Sequence, residues 1–167
     1  EYFKAKKLDP KSSATGPGAY EFEDPARVHE FLEMLRGTLP EQMKLQIVGG
    51  QKPPFPYQSP VFAQAITHSV WYLNDVAGCF AMRDALLKHP YFSTFEVVVA
   101  AGSGVGMGAA AKPPVMDAID RAAKAGTGSI TVTCGKLMTG VTVREWGAIL
   151  MLRSLKSPET YFQAAFR

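Results

Sequence analysis

From His68 onward the chain alternates short apolar, β-branched runs with segments of helical periodicity, and few folds satisfy that order. His68 to Leu73 (HSVWYL) reads as a strand. Asp75 to Leu87 reads as a helix, with Val76, Cys79, Phe80, Leu86 and Leu87 on one arc. Arg83 falls within that arc, where it can snorkel to solvent or pair with a carboxylate. Phe95 to Ala100 (FEVVVA) is apolar on both faces, as a buried parallel strand requires. Pro113-Pro114 opens another helix, with Val115, Ala118, Ile119 and Ala122 along one side, and Gly126 and Gly128 end it. Ser129 to Cys134 and Ala148 to Leu152 are further strands, and Ser157-Pro158 caps a last helix. The order β-α-β-α-β-β-α predicts an α/β fold, a mostly parallel sheet flanked by helices. Such sheets bind ligands at the carboxyl ends of their strands. The loops to inspect are therefore Asn74-Asp75, Gly102 to Lys112, Gly135 to Glu145 and Arg153 to Ser157.

Residues 1–60 read differently. Glu1 to Gly18, with Pro10, Gly16, Pro17 and Gly18, reads as an exposed or mobile segment. Asp24-Pro25 supplies an N-cap and a first-turn proline, Val28, Phe31, Leu32 and Leu35 follow at helical spacing, and Gly37 can end the helix. A second helix is expected from Pro40 to Val48. The four prolines between Lys52 and Pro60 make that stretch a linker. The expected organisation is a helical arm with a proline-rich linker over 1–60, then one α/β domain over 61–167.

Composition excludes several classes. The 167 residues suffice for one domain with a substantial core, and the net charge of +3 permits a local phosphate-binding patch without demanding one. The apolar runs Val97 to Ala101 and Ala148 to Leu152 are too short to span a bilayer, and the N-terminal lysines do not precede a signal sequence. Cys79 and Cys134 lie far apart, outside any metal-ligand spacing, and read as two buried thiols of a cytoplasmic protein. His29, His68 and His89 are isolated and read as structural or surface residues. Trp71 and Tyr72 read as core, and Trp146 as a lid over the core. The absence of an initiator Met and the stop at Arg167 within a helix suggest a fragment.

The glycine-rich loop GSGVGMGAAAK alternates Gly102, Gly104, Gly106 and Gly108 before Lys112. A Walker A loop ends in Gly-Lys-Ser/Thr and opens a helix directly, whereas Pro113 follows Lys112 here. The loop reads as a flexible strand-to-helix connection, or as backbone amides that touch a phosphate chain. The final helix carries more information. Tyr161, Phe162, Ala165 and Phe166 form an apolar arc, while Thr160, Gln163 and Arg167 share the opposite face. Gln163 and Arg167 are one turn apart, so their heads can converge on one ligand.

The segment ITVTCGKLMTGVTVREWGAILMLRSLKSPETYFQAAFR resembles the last motifs of superfamily 2 helicases, the restriction-enzyme-like and DEAD/DEAH-type branches in particular. GKLMTGVTV resembles motif V and SPETYFQAAFR resembles motif VI, at which the chain stops. The resemblance covers residues 68 to 167 in layout and is specific in the last forty or so. It implies a RecA-like, three-layer second motor lobe preceded by the helical arm. It further implies that Gln163 and Arg167 face the nucleotide as catalytic groups, the arginine stabilising charge on the transferring phosphoryl group. Gly140 and Thr142 would lie on the nucleotide side, and Thr139 and Lys136 would hold a nucleic-acid backbone. The family carries Gly before the arginine, where this chain has Phe166, and many relatives carry an acidic residue where it has Thr142. ATP and Mg²⁺ would serve the complete enzyme, with none expected on this chain alone. The first RecA-like lobe of the same polypeptide and DNA, in preference to RNA, would be the partners, with no membrane. No Walker A loop and no DExH or DEAD box is present, so hydrolysis by the chain alone is not expected. The alternative is a self-contained phosphate- or nucleotide-binding module, or a non-catalytic interaction domain, that uses Gly102 to Gly108.

Overall fold

The structure, a computed structural model, describes residues 2–38, 55–103, 108–135, 137, 141–155 and 157–165. The helix expected at Pro40 to Val48 lies outside these residues. Two strands open the chain, β1 (Ala5–Lys7) and β2 (Tyr20–Phe22), followed by α1 (Pro25–Arg36) and a short α2 (Pro60–Ala65). The alternating part then runs β3 (His68–Tyr72), α3 (Val76–Lys88), β4 (Glu96–Ala100), α4 (Lys112–Ala125), β5 (Ser129–Thr133), β6 (Ala148–Met151) and α5 (Pro158–Ala165).

Strands β3 to β6 form one parallel sheet in the order β4-β5-β3-β6. Successive side chains on a strand point to opposite faces, and the core divides accordingly. Trp71, Leu73, Ile130 and Val132 face α3 and α1, together with Cys79, Met82, Leu86, Val28 and Leu32. On the other face, Ala100 packs with Val115 and Ile119 of α4 and with Leu137, Val141 and Val143. Val70 and Tyr72 complete that face under Trp146, Ile149 and Met151. The result is a three-layer α/β fold, as the element order predicts, and it is consistent with the RecA-like fold that the resemblance implies.

The helix boundaries follow from their caps. The Asp24 carboxylate accepts from Arg27 N and Asp75 from Gly78 N, while Gly37 and Gly126 close α1 and α4 at left-handed φ of 77° and 68°. Three expectations need correction. Residues before Gly18 are not a loose tail: β1 pairs with β2 in register Lys6↔Glu21, and Gly18 N donates to Asp84 Oδ2 of α3 at 2.7 Å. Pro60 begins α2 rather than ending a linker, since proline is favoured in a first helical turn. Strand β4 lies at the sheet edge and is mostly half-buried. Its apolar faces are covered on both sides, but one flank has no neighbouring strand among the described residues.

The entry to the central strands is tight. Gly147 N donates to His68 O at 2.8 Å, and a Cβ placed on Gly147 would lie 1.8 Å from Ala65 O. Gly147→Ala is therefore expected to displace β6 and cost about 1–3 kcal/mol, as overpacking does. Urea unfolding checks this, and an unchanged midpoint would contradict it.

His89 is buried and built into the junction of α1 and α3. Its Nδ1 accepts from Tyr91 N and Phe92 N at 3.2 and 3.4 Å, which leaves the ring proton on Nε2, 2.8 Å from Glu33 Oε1. Burial holds His89 below the usual imidazole range against the pull of Glu33, and burial also lowers His68. A hydrogen bond from the Thr38 hydroxyl, opposed by partial burial, and then the His89 charge hold Glu33 low. In each case the folded state binds fewer protons than the unfolded chain. Stability is then complete above about pH 6.5 and falls as pH drops through the lowered histidine values, then further as Glu33 protonates. Melting temperature is expected to decline from pH 7 towards pH 5, and His89→Asn to flatten that decline; a rise on acidification would contradict the assignment.

Candidate functional site

The sheet presents the carboxyl ends of β5, β3 and β6 side by side. Backbone bonds carry the ladder past the strands: Leu73 N donates to Thr133 O at 2.8 Å and Leu152 N to Tyr72 O at 2.9 Å. Three connections leave this edge level with one another. The first runs through Asn74 to Asp75, the N-cap of α3. The second follows β5 and contains GKLMTGVTV. The third follows β6 and leads through Arg153 and Ser154 into α5.

The second connection is anchored by its apolar residues. Leu137 is fully buried, and Val141 and Val143 sink into the cluster under α4. Tyr72 Oη donates to Leu137 O at 3.4 Å from the central strand. Because Val141 and Val143 point inward, Thr142 between them is turned out to solvent. Lys136, Thr139 and Gly140, singled out in the sequence, lie outside the described residues.

The third connection is tied to the second by Arg153. Its Nη1 donates to Cys134 O at 2.7 Å, which pins the first residue after β5 to the first turn after β6. Asn74, Arg153 and Ser154 line a cavity of about 340 Å³ at this edge, with Tyr2 and Phe3 on its rim. The sequence marks the loop beginning at Arg153 but carries no sign of the side chain's role, because its acceptor is a distant backbone carbonyl. On α5, Gln163 is exposed and its Nε2 reaches Glu159 Oε1 of the same helix at 3.5 Å. Arg167 lies outside the described residues. Of the apolar arc expected on α5, Tyr161 and Phe162 are 46% and 53% exposed, and the side chains of Ala165 and Phe166 lie outside the described residues. Only the backbone pattern of this short helix was legible, because nothing in the sequence says which of its faces meets protein.

The glycine-rich loop is described only at its ends. Gly102, at φ 85°, turns the chain out of β4, and Gly108 lies in a short 3₁₀ turn before α4. Gly104 and Gly106 lie outside the described residues. Arg83 pairs with Asp84 at 2.7 Å, one of the two arrangements expected of it. Trp71 and Tyr72 are core residues, and Trp146 packs over the Tyr72 face. The two cysteines, distant in sequence, belong to the same apolar cluster, Cys79 buried and Cys134 half-buried, and both are free thiols. Among the described residues, no group of His, Cys, Asp and Glu side chains is arranged to hold a metal ion, and no helix is long and apolar enough to cross a membrane.

The chain is similar to a Mycoplasma pneumoniae protein named "Putative type II restriction enzyme and methyltransferase RM.MpnORF110P C-terminus", with 35% identity over 102 residues. The match covers 60% of this chain and 14% of that protein, so the chain spans a small part of its relative's length. The similarity relates the chain to a restriction-modification protein. No family model matches it, and no solved structure matches it.

Proposed function

We propose that the chain is the second, C-terminal motor lobe of an ATP-dependent DNA helicase or translocase belonging to a bacterial, cytoplasmic restriction-modification or DNA-processing enzyme. The observation that carries this reading is the common origin of the two motif-like segments. GKLMTGVTV and SPETYFQAAFR leave β5 and β6 on either side of β3, at one edge of a parallel sheet, and Arg153 ties their roots together. Two segments placed in this way can act on one ligand and one strand at once. The similarity to a restriction enzyme and methyltransferase favours DNA over RNA.

On this reading residues 1–60 form an arm, 61–167 form the lobe, and the first RecA-like lobe of the same polypeptide supplies the Walker A loop and the acidic box. ATP with Mg²⁺, bound between the lobes, would supply the free energy of phosphoryl transfer. Thr142 and Gln163 are both turned to solvent, which suits one wall of a cleft that a second lobe completes. Gln163 would orient on the phosphates, Arg167 would balance the charge that develops there, and the Gly140 backbone would allow close approach. Thr139 and Lys136 would hold the phosphate chain of one DNA strand. The exposed Tyr161 and Phe162 give α5 an apolar face suited to packing against the rest of the enzyme.

The test is ATP hydrolysis by the full-length protein with and without duplex DNA. Turnover that DNA stimulates supports a motor, and turnover that stays at background in both conditions removes it.

A further inference from the structure

We propose that the cavity between β2, α1 and α3 is a binding site for a small apolar monocarboxylate, an acid of one aromatic ring or one short alkyl chain. The cavity measures about 210 Å³. One of about 150 Å³ holds benzene, so this one has room for a single ring and a small polar head. Its floor is apolar, made by Phe22 of β2, Val28 and Leu32 of α1, and Ala81 and Ala85 of α3. Water over such a floor finds few hydrogen-bond partners, and an apolar group that displaces it gains affinity.

The rim sets the charge of the head group. Its acidic side chains are already engaged. Asp84 accepts from Gly18 N at Oδ2 and pairs with Arg83 at Oδ1, each at 2.7 Å. Glu21 pairs with Lys6 at 3.3 Å. Lys88, exposed in the last turn of α3, makes no ion pair among the described residues. The His89 nitrogens face Tyr91 N, Phe92 N and Glu33, whereas the exposed His29, its ring 5.3 Å from that of His89, is left to donate to a ligand. The first turn of α1 and the last turn of α3 both border the cavity, so their opposed dipoles offset each other and the Lys88 charge decides. Lys88 ends α3 towards the amino ends of the strands, whereas Asp75 begins it at the carboxyl ends. The site is therefore apart from the loops of the motor reading and does not depend on it.

The experiment titrates the full-length protein against 4-fluorobenzoate and follows the fluorine NMR linewidth of that probe, with the melting temperature of each variant recorded. Saturable broadening is expected, reversed by excess benzoate or hexanoate and less effectively by benzyl alcohol. Lys88→Ala should weaken binding roughly threefold, the value of an exposed charge pair, and Lys88→Glu should weaken it further. Ala85→Leu, which fills the cavity from α3, should abolish it. Absence of saturable broadening overturns the proposal. So does full-strength binding to Ala85→Leu or to Lys88→Glu, which would put the probe elsewhere on the protein. Benzyl alcohol competing as well as benzoate overturns the assignment of a carboxylate head. If Ala85→Leu lowers the melting temperature, Lys88→Glu, at an exposed position, decides instead. DNA-stimulated ATP turnover is followed in parallel. Its absence fails the motor reading and leaves the titration to decide this site.

Discussion

Replacing Arg167 with alanine in the full-length enzyme should lower DNA-stimulated ATP turnover by about 10³-fold or more, the range seen when an arginine finger is removed. On the motor reading, the target of this side chain is the transferring phosphoryl group. Its transition state spreads negative charge over oxygens in a cleft from which water is largely excluded, where a guanidinium stabilises far more than it would in bulk solvent. The arginine follows Gln163 by four residues in the QAAFR segment, a spacing that on a helix continued to Arg167 would let the two approach the same phosphate. Loss should appear in kcat at saturating ATP and DNA, because the interaction strengthens as charge develops. Lysine should not restore it, since an ammonium is a point charge without the planar fork. Turnover within a few-fold of the unsubstituted enzyme would show that Arg167 has no such role and would favour a non-catalytic domain with a motor-like fold.

Trp71→Ala should cost about 3–5 kcal/mol of folding stability, the range for deletion of a large buried aromatic. That is a large part of what holds an ordinary domain together. Trp71 lies on β3, which is hydrogen-bonded to β5 on one side and β6 on the other, and it is fully buried. Its ring stands edge-on to Phe92 with centroids 5.9 Å apart. Its Nε1 donates to Ser69 Oγ at 3.0 Å, and Tyr57 Oη meets the same oxygen at 3.3 Å. The tyrosine hydroxyl is itself pushed up to about pKa 12 by burial, so this small polar group sits in an apolar core. Alanine would leave a cavity between α3 and the sheet and remove one of the hydrogen bonds to Ser69. Trp71→Phe retains most of the volume and should cost less. Urea unfolding of both variants separates packing from hydrogen bonding, and a cost below about 1 kcal/mol for alanine would contradict the placement of the core.

The layers of the fold were legible because the relevant patterns are local. The β-branched run Val97-Val98-Val99, the spacing of Val115, Ala118, Ile119 and Ala122, and the caps at Asp24 and Asp75 each state their structure within a few residues. The β1–β2 hairpin was not legible. Its strands are only three residues long, and what holds them is tertiary: Phe22 in the core and Gly18 bonded to Asp84. His89 looked isolated because its partners are Glu33, from another helix, and backbone N–H groups. The Arg153 bond to the Cys134 carbonyl was hidden for the same reason, since parallel strands bring their ends together from distant parts of the sequence. The loop after β5 did carry a readable sign. The Val141-Thr142-Val143 alternation places two anchors inward and one polar side chain outward. The likeness of GKLMTGVTV and SPETYFQAAFR to helicase motifs carries the functional reading, and the fold adds that both emerge at one edge.

The most direct measurement is calorimetric titration of ATP and Mg²⁺ into this chain alone and, separately, into the full-length protein. If the chain is one wall of an inter-lobe cleft, the full-length protein takes up nucleotide and the isolated chain gives no binding heat. Equal affinity in both would mean that the nucleotide site is complete within these 167 residues, and the second-lobe account would then be wrong.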